Sequence, residues 1–175
     1  MLAIIANFAL FQSAWFAAIL GGATGQEVLG CLPALGSVIL YLFLNQRRLG
    51  RELALLAGIG LLGAVFETAL ITAGWITYTS SAHDSILPPI WIFALWLAFA
   101  TLPHGSLQWL RGRPWLQGVL GAVSGPLSYL AGVKLGAATL PDPPMIALLA
   151  IGVGWAIMLP LIFKLADGIS GERQA

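Results

Sequence analysis

The chain has 175 residues, 59% of them hydrophobic and 9% charged, with a formal net charge of +1 and a mean hydropathy of +0.91. A water-soluble domain of this size needs a charged exterior, whereas hydrocarbon accepts Leu, Ile, Phe and Trp on the outside, so the composition points to a membrane protein. It excludes a nucleic-acid partner, because no basic face is available to neutralise phosphates; the single cysteine, Cys31, excludes an intramolecular disulfide and a paired-thiolate metal site and reads as a small apolar filler.

A helix crossing the hydrocarbon core needs about 20 mostly apolar residues. Stretches 2–20, 28–44, 53–78, 89–102, 115–135 and 145–165 meet or approach that requirement, the fourth being the shortest. The expected fold is all-α: one polytopic transmembrane helical bundle of six spans over residues 1–167, with a short polar cytoplasmic tail at 168–175. A signal-peptide reading of the first stretch is disfavoured, because no basic segment precedes it and Asn7 and Gln12 interrupt it. Arg47, Arg48 and Arg51 lie between the second and third stretches, Arg111 and Arg113 between the fourth and fifth, and Lys164 and Arg173 close or follow the sixth. The alternate links 21–27, 79–88 and 136–144 carry no Lys or Arg. By the positive-inside rule both termini are cytoplasmic, which places His83, Asp84 and Asp142 on the outer side. No inverted repeat of three plus three spans is evident.

The polar groups within the apolar stretches carry the functional argument. In the first span Asn7 and Gln12 need hydrogen-bond partners; five positions apart, they point about 140° away from one another and serve different ones. In the third, Glu67 lies near the middle of the apolar stretch, where a carboxylate costs roughly 2.5–3.5 kcal/mol unless protonated or paired. Helical spacing puts Gly60, Gly63, Glu67, Gly74 and Tyr78 on one stripe, so Glu67 is expected to face the bundle interior, where Asn7 or Gln12 is a candidate partner. In the fifth, Gly118, Gly121, Gly125, Gly132 and Gly136, completed by Ser128, form a small-residue packing stripe, and Pro126 predicts a local kink freeing a carbonyl for Ser124, Tyr129 or a ligand. Spans one, three and five are therefore expected to supply much of the interior. Lys134 is expected to snorkel outward, with Asp142 or Asp84 as candidate ion-pair partners. Trp75, Trp91, Trp109 and Trp115 fall near span ends as interfacial anchors, while Trp15, Trp96 and Trp155 lie deeper. His83, Asp84 and His104 are too scattered for a zinc site, and no soluble-enzyme motif is present, so neither metal nor cofactor is called for.

Asn7 with Phe11-Gln12 and Trp15, Pro89 with Trp91, Leu95-Trp96 and Phe99-Ala100, and Gly121 with Gly125-Pro126-Leu127-Ser128-Tyr129 and Gly132 through Gly136 make the chain resemble a family of small bacterial inner-membrane proteins catalogued as domain of unknown function 2878. The likeness covers most of the chain. It implies a multi-spanning protein of the bacterial inner membrane and, since family genes lie near genes for membrane-lipid modification, favours lipid chemistry; it transfers no catalytic residue.

Three readings follow. In the first, the protein acts on a membrane lipid or other apolar substrate within the bilayer, using Glu67 as general acid or hydrogen-bond donor with Asn7, Gln12 and Tyr129 as supporting groups. The second is a small proton-coupled transporter or channel with Glu67 as the titrating site and the Pro126 kink in its pathway. In the third, a non-catalytic scaffold, Glu67 only glues helices together. Membrane lipids are the expected partners in all three, and a second copy packed on a glycine stripe or a partner membrane enzyme is compatible with each.

Overall fold

The structure is a computed structural model that describes residues 1–80 and 85–171, apart from the side chain of Ser170. His83, Asp84 and Arg173 lie outside those residues. Six α-helices follow one another as α1 (Leu2–Thr24), α2 (Glu27–Leu44), α3 (Leu49–Thr72), α4 (Ile90–Phe99), α5 (Pro114–Lys134) and α6 (Met145–Ser170), with single 3-10 turns at Gln46–Arg48 and Gln108–Leu110. The expected all-helical bundle is thus observed. Five of the helices are long and apolar enough to cross a membrane. Their outward faces carry exposed Phe8, Phe16, Leu32, Phe43, Leu61, Val123, Val153 and Ile157, a belt suited to hydrocarbon and costly in water.

α4 departs from the expected span at 89–102. Ten residues rise about 15 Å, half the thickness of a hydrocarbon core. The chain continues toward the arginine-rich end as a non-helical segment whose Thr101, Leu102, Pro103 and Ser106 are buried. Irregular backbone at membrane depth is tolerated where protein surrounds it, and here Asn7 supplies the bonds: its Nδ2 donates to Thr101 Oγ1 at 3.1 Å and its Oδ1 accepts from the Ser106 backbone N–H at 2.8 Å. Gln117 of α5 ties the same segment from the other side by donating to the Leu110 carbonyl at 2.9 Å.

Around α4 the other helices form an open arc. α1 and α2 make a hairpin in which Gly21 and Gly30 bring the two backbones together, and α5 and α6 make a second in which Gly121 leaves space for the Trp155 carbonyl. α4 packs on α1, α2 and α3, and α3 bridges to α6. Expectation and structure differ here: α4, with Trp91, Ile92, Ala94, Trp96 and Ala98 buried, supplies as much of the interior as α1 and more than α5, while α3 contributes most of these four. α1 and α5 stand at the two ends of the arc and do not pack closely on each other.

The third expected span, 53–78, is helical only to Thr72. Gly74 adopts φ +69°, a left-handed conformation that ends the helix and that glycine accepts without strain. The chain then turns back as β1 (Thr77–Tyr78), which pairs antiparallel with β2 (Ala138–Thr139) after α5, Tyr78 lying opposite Ala138. α6 runs through Ser170, beyond the 167/168 boundary.

Candidate functional site

Glu67 sits one turn and a half before the end of α3, so it lies about 7 Å below the helix end remote from the arginines rather than near mid-span. Three donors converge on it. The Tyr129 hydroxyl donates to Oε1 and the Tyr78 hydroxyl to Oε2, each at 2.6 Å, and Trp96 Nε1 donates to Oε1 at 3.2 Å. The residue is 2% exposed.

Each donor arrives for a local reason. Gly63, one turn below Glu67, has no side chain where the Trp96 ring lies; any Cβ there would overlap the indole. Tyr129 is five residues before the end of α5, as Glu67 is before the end of α3, and both helices rise from arginine-bearing turns, so the two stand at one depth. Tyr78 hangs down from β1, and its ring is braced edge-on by Trp91 at 5.4 Å. Trp91 is itself buried, donating to Ser80 Oγ at 3.0 Å, so it is a packing residue rather than the interfacial anchor its sequence position suggests. Trp109 and Trp115 are exposed as expected.

Below and beside this cluster lies a cavity of about 590 Å³ between α1 and α5, a volume usual for small-molecule sites. Phe11, Gln12, Trp15 and Ile19 of α1 form one wall, and Leu120, Ser124, Leu127, Ser128 and Gly132 of α5 the other. Trp96, Phe99 and Trp155 form its back, and Leu107 and Leu110 its floor. Trp96 and Trp155 stack at 5.3 Å, with Phe66 and Phe99 edge-on to Trp155. Leu120 to Gly132 covers twelve residues of helix, about 18 Å. The cavity is therefore long and apolar, with Glu67, Tyr78 and Tyr129 as its polar corner. Trp155 Nε1 approaches the Tyr129 hydroxyl without meeting hydrogen-bond geometry, leaving a buried donor unused.

The residues singled out by sequence separate. Tyr129 joins Glu67, whereas Gln12 lines the cavity without bonding the carboxyl, and Asn7 is committed to the segment after α4, at the opposite end of the bundle. The lower part of the α5 stripe, Gly118, Gly121 and Gly125, packs on Trp155 and Ala156, and its upper members Ser128 and Gly132 face the cavity. Pro126 packs against Gly152, as does the Ala122 carbonyl that it leaves without its helical donor; Ser124 instead donates to the Leu120 carbonyl. Lys134 is exposed and forms no ion pair with Asp142. No group of three metal-ligating side chains occurs among the described residues.

Sequence reasoning missed a second buried carboxyl. Glu52, in the first turn of α3, accepts from the Tyr41 hydroxyl at 2.6 Å, and His104 Nδ1 stands 3.8 Å from the same oxygen. Its position at the edge of the apolar stretch hid it, although a Glu three residues inside a helix start is a recognisable first-turn signal.

What this geometry does is hold a buried carboxyl between two phenols: oxygen–oxygen separations of 2.6 Å fall in the short range of hydrogen bonds to an ionised group. Neither curated proteins nor solved structures give a match to the chain. The family described as "Protein of unknown function (DUF2878)" matches residues 4–161, and the chain belongs to that family.

Proposed function

We propose that this is a multi-pass protein of the bacterial inner (plasma) membrane, both termini cytoplasmic, that binds one chain of a membrane lipid or a similar apolar molecule between α1 and α5 and acts on its polar end at Glu67. The observation that carries the reading is the placement of a buried carboxyl, held by two phenols, at the corner of a long apolar cavity. A cavity about 18 Å long exceeds half of a 30 Å hydrocarbon core, which suits the chain of a lipid in one leaflet. With the arginine-rich turns cytoplasmic, Glu67 serves the outer leaflet.

The unused Trp155 N–H favours a ligand that carries an acceptor oxygen, such as an ester or hydroxyl, over a bare hydrocarbon. In such a step Glu67 begins protonated and turns its O–H onto the Tyr129 or Tyr78 oxygen while that phenol's proton passes to the ligand oxygen, leaving Glu67 as the carboxylate that both phenols hold. The apolar walls argue against a hydrated path for a polar solute, and the cavity gives Glu67 more to do than join helices.

The test is the lipid profile of a deletion strain complemented with the native gene or with Glu67→Gln at matched membrane abundance. A lipid species that disappears on deletion and returns only with the native gene supports lipid chemistry at Glu67. Identical profiles in all strains contradict it, and pH-dependent solute flux in proteoliposomes would then favour transport.

A further inference from the structure

Below the Glu67 corner the cavity carries two further polar groups that the protein itself does not use. Trp155 Nε1 is buried and meets no acceptor, and the Gln12 side chain lines the cavity without a hydrogen bond to any described residue. We propose that this pair holds the carbonyl oxygen of an acyl ester whose free hydroxyl reaches Glu67, so that the ligand is an acyl ester of a short polyol. Resting on the reading of the cavity as a lipid site, this names the class of lipid.

The two groups share a depth. α1 and α5 rise in parallel here: Ile19 Cδ1 stands 3.9 Å from where a Cβ on Gly132 would be, and Ala23 Cβ stands 3.9 Å from the same point on Gly136. Seven residues down both helices, Gln12 is level with Gly125, and the Trp155 ring lies so close to Gly125 that a Cβ there would overlap the indole. Tyr129 is four residues, about 6 Å, above Gly125.

An indole N–H only donates, and an amide without a partner in apolar surroundings is costly. A saturated chain would leave both groups unpaired, whereas a carbonyl oxygen, with two lone pairs, accepts from the indole and from the Gln12 amide at once. At the corner the chemistry is reversed: Tyr78 and Tyr129 spend their protons on Glu67, leaving oxygen lone pairs that take a ligand's O–H. Donors about 6 Å below an acceptor corner call for a carbonyl and a hydroxyl that far apart. Four or five bonds of about 1.5 Å cover the distance, which is the separation of ester carbonyl and free hydroxyl in a glycerol monoester. The acyl chain then runs on toward Leu120 and the floor at Leu110.

The experiment is equilibrium binding to the full-length purified protein in neutral detergent, using palmitoylglycerol and its ether analogue, which keeps the hydroxyls and the chain but lacks the carbonyl. The native protein should bind the ester about tenfold more tightly than the ether. Gln12→Leu and Trp155→Phe should each remove most of that preference by weakening the ester, with the ether unchanged. Gly132→Trp, which fills the cavity, should abolish binding of both. If Gly132→Trp abolishes binding but the native protein does not distinguish ester from ether, the carbonyl assignment is overturned and the lipid site stands. If Gly132→Trp leaves both affinities unchanged, the lipid site fails and the carbonyl assignment fails with it. Equal weakening of ester and ether by Gln12→Leu and Trp155→Phe reports lost packing and also overturns the assignment. Gln12 is only partly buried, so Gln12→Leu carries the test should Trp155→Phe not fold.

Discussion

Glu67 is a carboxyl with three donors drawn from three different elements, so its removal is felt well beyond one side chain. Glu67→Gln keeps the shape but replaces one acceptor oxygen by an N–H donor, leaving a tyrosine hydroxyl to turn around or go unpaired. We expect it to lower unfolding stability in detergent by about 1–3 kcal/mol, with Glu67→Leu at or beyond the upper end because all three donors lose their partner. Tyr78→Phe and Tyr129→Phe should each cost about 1–2 kcal/mol, and the double variant should differ from their sum by about 0.5 kcal/mol or more, since both bond one carboxyl. Denaturant titration of the four proteins measures that cycle; strict additivity would mean the two phenols do not share Glu67. Asn7 belongs to a separate account. Asn7→Ala strips the partner from the Ser106 N–H and should cost about 1–3 kcal/mol of stability, while any activity that depends on Glu67 survives in the fraction that folds.

At the scale of elements, the glycines divide by what they touch. Gly63→Ala places a methyl in the Trp96 ring and should cost about 1–3 kcal/mol while withdrawing the indole from Glu67, whereas Gly36→Ala meets open space and should be neutral or stabilising by up to about 1 kcal/mol. Thermal unfolding compares the two, and the quenching of tryptophan fluorescence reports whether Trp96 has moved. Most of these elements are legible in the sequence, because spans are written in long apolar runs and their ends in arginines, glycines and prolines. Glu67 is legible as well, since a lone carboxyl in such a run stands out against hydrocarbon. Tyr78 is a different case: its place on the helical stripe suggested a contact through a continuing helix, but Gly74 ends α3 and the phenol returns from a two-residue strand. That pairing depends on the link after α5, more than fifty residues away, which no local pattern encodes. Asn7 misled for a related reason. An amide in an apolar run announces a need for partners but not their address, and the partners proved to be the irregular backbone beyond α4. The brevity of α4 itself was visible in the shortest apolar stretch, and its depth of burial was not, because a uniformly apolar segment carries no periodicity to mark its inner face.

For the whole molecule, the arc of helices leaves a wide seam between α1 and α5, and the cavity occupies that seam. A protein whose outward faces are already apolar has no hydrophobic incentive to close such a gap, because lipid chains fill it as well as side chains do. On the proposed reading, the gap is the route by which a lipid chain would reach Glu67 without crossing water. The two buried carboxyls mark the two ends of the bundle: Glu67 with its two phenols at one, Glu52 with Tyr41 and His104 at the other, fifteen residues, about 22 Å, apart on one helix. The most direct test of the central claim is photolabelling of the native protein in bilayers with a phospholipid that carries a diazirine along one acyl chain, followed by peptide mapping. The account predicts adducts concentrated on the facing walls at Phe11, Gln12 and Trp15 of α1 and at Leu120, Ser124 and Ser128 of α5, suppressed by replacing Gly132 with a bulky Trp that fills the cavity. Adducts spread evenly over the outward faces of all the helices, unchanged by Gly132→Trp, would contradict it.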